Sequence, residues 1–287
     1  MRKTLFTLAL MLPAAAAAQR SFQVKTTGHG QPMILIPGLA SSGETWDTTV
    51  DRYKNLYECH VLTLAGFAGV PRIPAPMLDK VRDDLAAYIR DKKLVKPVIV
   101  GHSLGGFLAL SLVSKYPDLP GKLIIVDAYP SLAAIYQPDI TSAQAKAQSA
   151  MTRQYMTSQP TSPEATRTLI HTMVSGEADF ERIMSWSRAS DYSAIVDAMV
   201  EMYAGDLRDD IAAIHSPTLV LGTWIGYKDY TDHAKTEANL HREYAKLEGV
   251  DIRLNDTSRH FIMYDEPQWF FAQIDGFLHP SDSHENQ

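Results

Sequence analysis

The sequence is poor in the features that crosslink a protein or give it a strong charge. Its 287 residues include one cysteine, Cys59, so no intrachain disulfide can form. There are 27 Lys and Arg against 33 Asp and Glu, and no long basic run occurs, which argues against a nucleic-acid partner. No His, Glu or Cys cluster has metal-ligand spacing, and no glycine-rich loop is placed to cradle a phosphate. The sequence therefore predicts no metal site and no nucleic-acid binding.

Long apolar runs are also missing, since none reaches the ~18 residues that a membrane-spanning helix needs. At the N-terminus, Arg2 and Lys3 precede a short apolar run at 5–12 and an alanine-rich stretch at 14–18. This order is typical of a secretory signal peptide with its cleavage site. We therefore expect residues 1–18 to be removed and the mature protein to be exported, periplasmic or secreted, without a stable membrane anchor. The sequence contains no indication of the oligomeric state.

Apolar residues make up 45% of the sequence and charged residues 21%, so a sizeable core can be buried. A first strand is predicted at Phe22–Thr26, and four near-continuous apolar runs follow, as in parallel strands covered on both faces. Helical patterns at 77–92 and 107–116 separate them, which predicts an α/β fold with a doubly wound, mostly parallel sheet. The four runs are Met33–Ile36, Pro97–Val100, Leu123–Val126 and Thr218–Leu221, with weaker strand patterns at His60–Leu64 and Val250–Leu254.

Strand patterns stop between residues 129 and 208. Ser162-Pro163-Glu164 combines an N-cap residue, a first-turn proline and a first-turn carboxylate, which predicts the start of a helix. Residues 129–208 are therefore expected to form a helical insertion between two strands. The core would then consist of residues 19–128 and 209–287, with a last helix from about Pro267 to Leu278.

The motif most informative about chemistry is Gly101-His102-Ser103-Leu104-Gly105, which follows a predicted strand and precedes a predicted helix. A serine in G-x-S-x-G at such a junction lies on a sharp turn that needs small neighbours and exposes its hydroxyl. The same turn directs the first N–H groups of the helix, chiefly that of Leu104, toward developing negative charge. The pattern indicates a nucleophilic serine.

A serine hydroxyl needs a neighbouring base, and the chain has ten histidines. His260 follows the last predicted strand and so emerges at the same sheet edge as Ser103. His102 lies inside the turn, where its ring would be badly oriented to act as the base. His260 is therefore the predicted base.

Taken together, Pro37-Gly38-Leu39, the serine motif, the helical insertion and Ser258-Arg259-His260-Phe261 resemble the α/β-hydrolase superfamily over most of the mature chain. The resemblance implies an eight-stranded, mostly parallel sheet, with residues 129–208 as a helical cap. It also implies an oxyanion hole made by the backbone N–H groups of Leu39 and Leu104. No cofactor is implied.

The carboxylate of the catalytic triad is the point at which the chain departs from the family. Many members place it three residues after the glycine that ends the strand following the cap, but Ile225 stands there. We favour Asp229, which follows the same strand 31 residues before His260. Asp127, directly after an earlier strand, is the main alternative, and Asp232 or a dyad without an acid is left as a third.

The predicted function is that of an exported serine hydrolase that cleaves carboxylic esters through Ser103, His260 and Asp229. Its partner would be a small-molecule ester. Lactone or amide hydrolysis and acyl transfer use the same residues and stay open. A protein of a different class, one that binds an apolar ligand under the cap without catalysis, is the remaining alternative.

Overall fold

Seven strands form one sheet in the computed structural model of the protein, which describes residues 21–279. They are β1 (Phe22–Gly28), β2 (Gln31–Ile36), β3 (Tyr57–Leu64), β4 (Val98–His102), β5 (Lys122–Val126), β6 (Thr218–Thr223) and β7 (Asp251–Asn255). The order is β1-β3-β2-β4-β5-β6-β7, with only β1 antiparallel to its neighbour. The doubly wound, mostly parallel sheet is confirmed, whereas the eighth strand implied by the resemblance is not found in 21–279. The predicted signal peptide, residues 1–18, lies outside the described residues.

Eleven α-helices connect or cover these strands within residues 21–279. They are α1 (Asp47–Tyr53), α2 (Leu78–Asp91), α3 (Leu104–Lys115), α4 (Leu132–Tyr136), α5 (Ser142–Ser158), α6 (Pro163–Met173), α7 (Glu177–Ala189), α8 (Tyr192–Ala204), α9 (His233–Glu243), α10 (Ile262–Asp265) and α11 (Pro267–Leu278). Helices α4 to α8 lie between β5 and β6, in the segment expected to be helical. None of the eleven is long and apolar enough to cross a membrane.

The sheet separates two hydrophobic cores. In β2, Ile34 and Ile36 contribute to one core, whereas Met33 and Leu35 contribute to the other, since successive side chains of a strand point to opposite faces. Helices α2, α3 and α9 cover the first face, and α1 and α11 cover the second. Burial on both faces explains why the central strands are apolar throughout instead of alternating.

The helical insertion contributes to both cores. Phe180 and Ile183 of α7 are buried in the core of the second face, and Ala194 and Ala198 of α8 in the core of the first. The free energy gained by burying these side chains holds the insertion against the sheet. The insertion and the sheet thus share their apolar interior.

The segment that follows β5 is hydrogen-bonded to residues at the C-terminal end of α9. The Tyr244 hydroxyl donates to the Ala128 carbonyl at 2.8 Å, and the Ser131 N–H donates to Glu243 Oε2 at 3.2 Å. The side chain of Glu243 is fully buried, and its Oε1 has no hydrogen-bond partner among the described residues. Burial raises the pKa of this carboxyl to about 7, against the opposing effect of Arg208, whose guanidinium lies 3.9 Å away.

The buried Glu243 carboxyl predicts a pH-dependent stability. The folded protein holds its proton more tightly than the unfolded chain, so the stability contribution is present below about pH 4.5 and declines as the pH rises toward 7. By pH 8 the free energy of unfolding should have fallen by about 3 kcal/mol, because each pKa unit between 4.5 and about 7 corresponds to ~1.4 kcal/mol. Glu243→Gln carries no titrating proton, so it should be more stable than wild type at pH 8 and similar at pH 5.

Urea unfolding of both proteins at the two pH values measures this difference. Contributions from other titrating groups are common to both proteins and cancel. An equal fall in stability for wild type and Glu243→Gln would show that this carboxyl is not the group responsible.

Candidate active site

Ser103 occupies a strained turn between β4 and α3. Its backbone has φ 54° and ψ −120°, in a region that residues with a side chain rarely adopt, at a cost of roughly 1–3 kcal/mol. The turn is tight because Gly101 lies against Gly105, such that a Cβ on Gly101 would lie 2.3 Å from the Gly105 carbonyl oxygen. The Ser103 N–H donates to the Val126 carbonyl of β5 at 2.9 Å. The motif thus forms the sharp strand-to-helix turn that the sequence predicts.

The loop after β2 passes close to Ser103. A Cβ on Gly38 would lie 3.3 Å from Ser103 Cβ and 3.1 Å from His102 Nδ1, so only a residue without a side chain fits there comfortably. Leu39 follows in this loop, and Leu104 is the first residue of α3, where backbone N–H groups have no acceptor within the helix. The assignment of an oxyanion hole to Leu39 and Leu104 stays a prediction.

His260 is hydrogen-bonded to Asp127, the first residue after β5. The distance between His260 Nδ1 and Asp127 Oδ2 is 2.5 Å, and both side chains are largely buried. The other carboxylate oxygen accepts from the Thr223 N–H at 3.3 Å. With its Nδ1–H donated to the carboxylate, the imidazole has its Nε2 left to accept a proton.

This contact contradicts the prediction that Asp229 accompanies His260. Asp229 is exposed, in the turn after a 3-10 helix at Ile225–Tyr227. Asp232 caps α9 instead, since its side chain accepts from the Lys235 N–H at 2.9 Å and pairs with the Lys235 ammonium. The physical reason is the strand order: β5 is the direct neighbour of β4, so its first loop residue lies beside the serine turn.

His102 contacts both the ring and the main chain of His260. Its buried ring lies 4.6 Å from the His260 ring, measured between centroids, and its Nε2 is 3.0 Å from the His260 carbonyl oxygen. A carbonyl only accepts, so Nε2 carries the proton. Burial, and to a lesser degree the nearby His260, lowers the pKa of His102 well below its ordinary value, which keeps the ring neutral. His102 is thus suited to holding the main chain of His260.

Two residues that the sequence did not single out shape the loop that carries His260, residues 256–261. Asn255 Oδ1 accepts from the Ser258 N–H at 2.6 Å and from the Thr257 N–H at 2.9 Å, which folds the start of the loop. Thr223 of β6 donates its hydroxyl to the Ser258 carbonyl. An Asn or Thr at a strand end is common, so the sequence alone offers no signal for these roles.

Two other reactive side chains, His60 and Cys59, have structural environments that do not involve the proposed site. His60 is hydrogen-bonded to the Tyr88 hydroxyl at 2.8 Å and to Glu58 at 3.0 Å, far from the serine turn in sequence. Cys59 is buried, and burial raises the pKa of its thiol to about 11. Within the described chain no group of three or more His, Cys, Asp or Glu side chains is arranged to hold a metal ion.

A family model described as "Alpha/beta hydrolase family" matches residues 33–273. The chain belongs to this family. A thermophilic esterase from Thermogutta terrifontis has the same fold, with a TM-score of 0.74 and 19% identity over 90% of this chain and 93% of that one. The range matched by the family model, residues 33–273, includes every residue of the site described above.

Sequence relatives of this alpha/beta hydrolase carry different activities. N-formylmaleamate deformylase of Pseudomonas putida is 23% identical over 91% of this chain and 94% of its own length. Pimeloyl-[acyl-carrier protein] methyl ester esterase of Vibrio atlanticus is 29% identical over 112 residues. That match spans 39% of this chain and 42% of the esterase, so this hydrolase covers less than half of that relative's length.

The close contact at Gly101 yields a prediction on stability. In Gly101→Ala the new methyl group would meet a backbone oxygen that cannot move without opening the turn, so we expect a loss of at least ~3 kcal/mol in the free energy of unfolding. Gly276→Ala is the matched control, because nothing lies within 4 Å of the added Cβ on the exposed face of α11. There the substitution should stabilise the helix by roughly 0.5–1 kcal/mol. Urea unfolding compares the two, and equal effects would contradict the tight turn.

Proposed function

We propose that this alpha/beta hydrolase is an exported serine hydrolase that cleaves carboxylic esters, with Ser103 as nucleophile, His260 as base and Asp127 as acid. The observation that carries the proposal is the 2.5 Å hydrogen bond between His260 Nδ1 and Asp127 beside the strained turn at Ser103. An imidazole held by a buried carboxylate can take the proton of a nearby serine hydroxyl and so make that hydroxyl nucleophilic.

The first half of the proposed reaction forms an acyl-enzyme. Ser103 Oγ attacks the ester carbonyl carbon while His260 Nε2 takes the hydroxyl proton. The carbonyl electron pair moves to oxygen, and the resulting oxyanion accepts hydrogen bonds from the N–H groups of Leu39 and Leu104. As the carbonyl re-forms, the bond to the leaving alcohol breaks and the alcohol takes the proton from His260.

The second half returns the enzyme to its starting state. Water attacks the acyl carbon, gives one proton to His260 Nε2 and forms a second tetrahedral oxyanion in the same hole. Its collapse breaks the bond to Ser103 Oγ, which recovers the proton, and releases a carboxylic acid. Asp127 stabilises the imidazolium in both halves without taking the proton itself.

A second candidate, hydrolysis of an N-acyl bond, is favoured by one comparison. The deformylase of Pseudomonas putida matches nearly the whole chain, including the cap, whereas the match to the methyl ester esterase is shorter. The same triad serves both reactions, because only the leaving group differs. Parallel assays with p-nitrophenyl esters and with N-formyl amides decide between them.

Replacing the nucleophile tests the proposed function. Ser103→Ala should fold, since a smaller side chain fits the turn, and should lose p-nitrophenyl ester hydrolysis by several orders of magnitude. A fluorophosphonate probe should label wild type at Ser103 and leave Ser103→Ala unlabelled, as read by intact mass. A wild-type protein that neither labels nor turns over any ester of a short-to-long acyl series would instead be a non-catalytic ligand-binding protein.

The choice of acid is tested by two isosteric variants. Asp127→Asn keeps an acceptor for the Thr223 N–H but removes the charge facing His260, so kcat should fall by roughly 10²- to 10⁴-fold. Asp229→Asn changes an exposed turn and should retain wild-type kcat. Steady-state kinetics at pH 8 measures both. The reverse pattern would return the acid to Asp229.

Export is proposed on the sequence of residues 1–18, with their charged start, apolar centre and alanine-rich end. Expression of the full chain in a bacterium with two membranes should give a periplasmic protein that begins at Gln19, as read from its intact mass. An uncleaved protein in the cytoplasm would contradict export without affecting the proposed chemistry.

A further inference from the structure

The loop that carries His260 is attached to the cap as well as to the sheet. The attachment point is the C-terminal end of α6 together with the turn before α7, residues 171–176, called here the cap turn. The Phe261 N–H donates to the Met173 carbonyl at 3.0 Å. Val174, in the middle of the turn, is buried in the same core as Phe261. The residue directly after His260 is thus bonded to the cap.

The residue directly before His260 is bonded to the cap too. The Arg259 guanidinium donates through Nη1 to the Val174 carbonyl at 2.9 Å and to the His171 carbonyl. These carbonyls belong to the C-terminal end of α6, where the helix has no further N–H to offer them. A cation is favourable at this end of a helix for the same reason. Arg259 therefore completes the end of a cap helix with a side chain from the His260 loop.

Asp265 joins the two parts with its two carboxylate oxygens. Oδ1 accepts from the Ser175 N–H at 2.8 Å and from the Ser175 hydroxyl at 2.7 Å, in the cap turn. Oδ2 accepts from the Arg259 N–H at 2.8 Å, in the His260 loop. A single side chain thus fixes the distance between the cap turn and the main chain next to His260.

We propose that Asp265 and Arg259 are positioning residues that make the orientation of the His260 imidazole depend on the seating of the cap turn. The inference rests on the proposed function, because it assigns a role to residues around the proposed base. Asp127 and His102 hold His260 from the sheet side, and the His102 ring also lies 4.7 Å from the Phe261 ring. The N–H groups of the two flanking residues are bound instead by Asp265 and by the Met173 carbonyl. Losing the cap-side bonds removes the restraints on the main chain at both flanks of His260, so that only Asp127, His102 and the contacts at the start of the loop are left to orient it.

The experiment compares the variants Asp265→Ala and Arg259→Met with wild type, all as the mature chain. We expect kcat for p-nitrophenyl butyrate to fall by roughly 10- to 100-fold, the scale for a misplaced catalytic group, with KM little changed. The fluorophosphonate labelling rate should fall in parallel. In the proton NMR spectrum, the downfield resonance of the His260 Nδ1–H, absent in His260→Ala, should broaden or disappear in both variants.

Two control variants separate positioning from general loosening of the cap. Arg259→Lys keeps a donor for the helix-end carbonyls and should recover most of the activity lost in Arg259→Met. Arg153→Met removes the ion pair of Arg153 with Asp197, which joins α5 to α8 within the cap and involves no residue of the cap turn or the His260 loop. It should keep wild-type kcat and the downfield resonance even if its melting temperature falls.

The results that would refute the positioning role differ from those that would refute the proposed function. The positioning role alone would be overturned if wild type reacts with the fluorophosphonate probe but Asp265→Ala keeps wild-type kcat and an unchanged resonance. An Arg153→Met variant as impaired as Asp265→Ala would overturn it as well. If Asp265→Ala does not fold, Arg259→Met and Ser175→Ala decide, the latter by losing kcat in proportion to the single hydrogen bond it removes. Failure of wild type to label would refute the proposed function itself.

Discussion

The hydrogen bond between His260 and Asp127 joins the ends of two strands that are not neighbours. Asp127 follows β5, His260 follows β7, and β6 lies between them. The bond forms because Thr223, at the end of β6, binds Asp127 through its N–H and the loop of His260 through its hydroxyl. All three strands are parallel, so their carboxyl ends meet at one edge, as ligand sites in such sheets generally do. The geometry of the proposed site therefore depends on the strand order.

Burial determines how the charges at this edge can be arranged. His102 is fully buried and neutral, so it can hold the His260 carbonyl without placing a second positive charge beside the imidazole. Asp127 is buried as well, and each of its carboxylate oxygens accepts a hydrogen bond, which offsets the cost of burying a polar group there. Glu243, which binds the Ser131 N–H after β5, has no hydrogen-bond partner for its Oε1 among the described residues, and burial raises its pKa.

Local patterns in the sequence led to the strands and to Ser103 and His260, because each depends on a few consecutive residues. The strand-to-helix turn needs its glycines within four residues, and the apolar runs reflect burial on both faces of the sheet. Asp127 could not be chosen over Asp229 in this way, because the choice depends on which strand lies next to β4 and on where the 225–227 turn points. Arg259 and Asp265 were missed for the same reason, since their partners lie in the cap about 90 residues earlier.

Helix α7 connects the cap to both loops of the proposed site. Helix α7 begins next to the cap turn, and near its other end Trp186 donates its indole N–H to Glu44, shortly after the loop that carries Leu39. Between these points its apolar side chains are buried against the sheet. One helix thus bridges the loop of the proposed base and the loop of the predicted oxyanion hole. Because the hydrophobic burial of α7 holds both ends in place, the free energy that folds the cap also fixes the spacing of the two loops across Ser103.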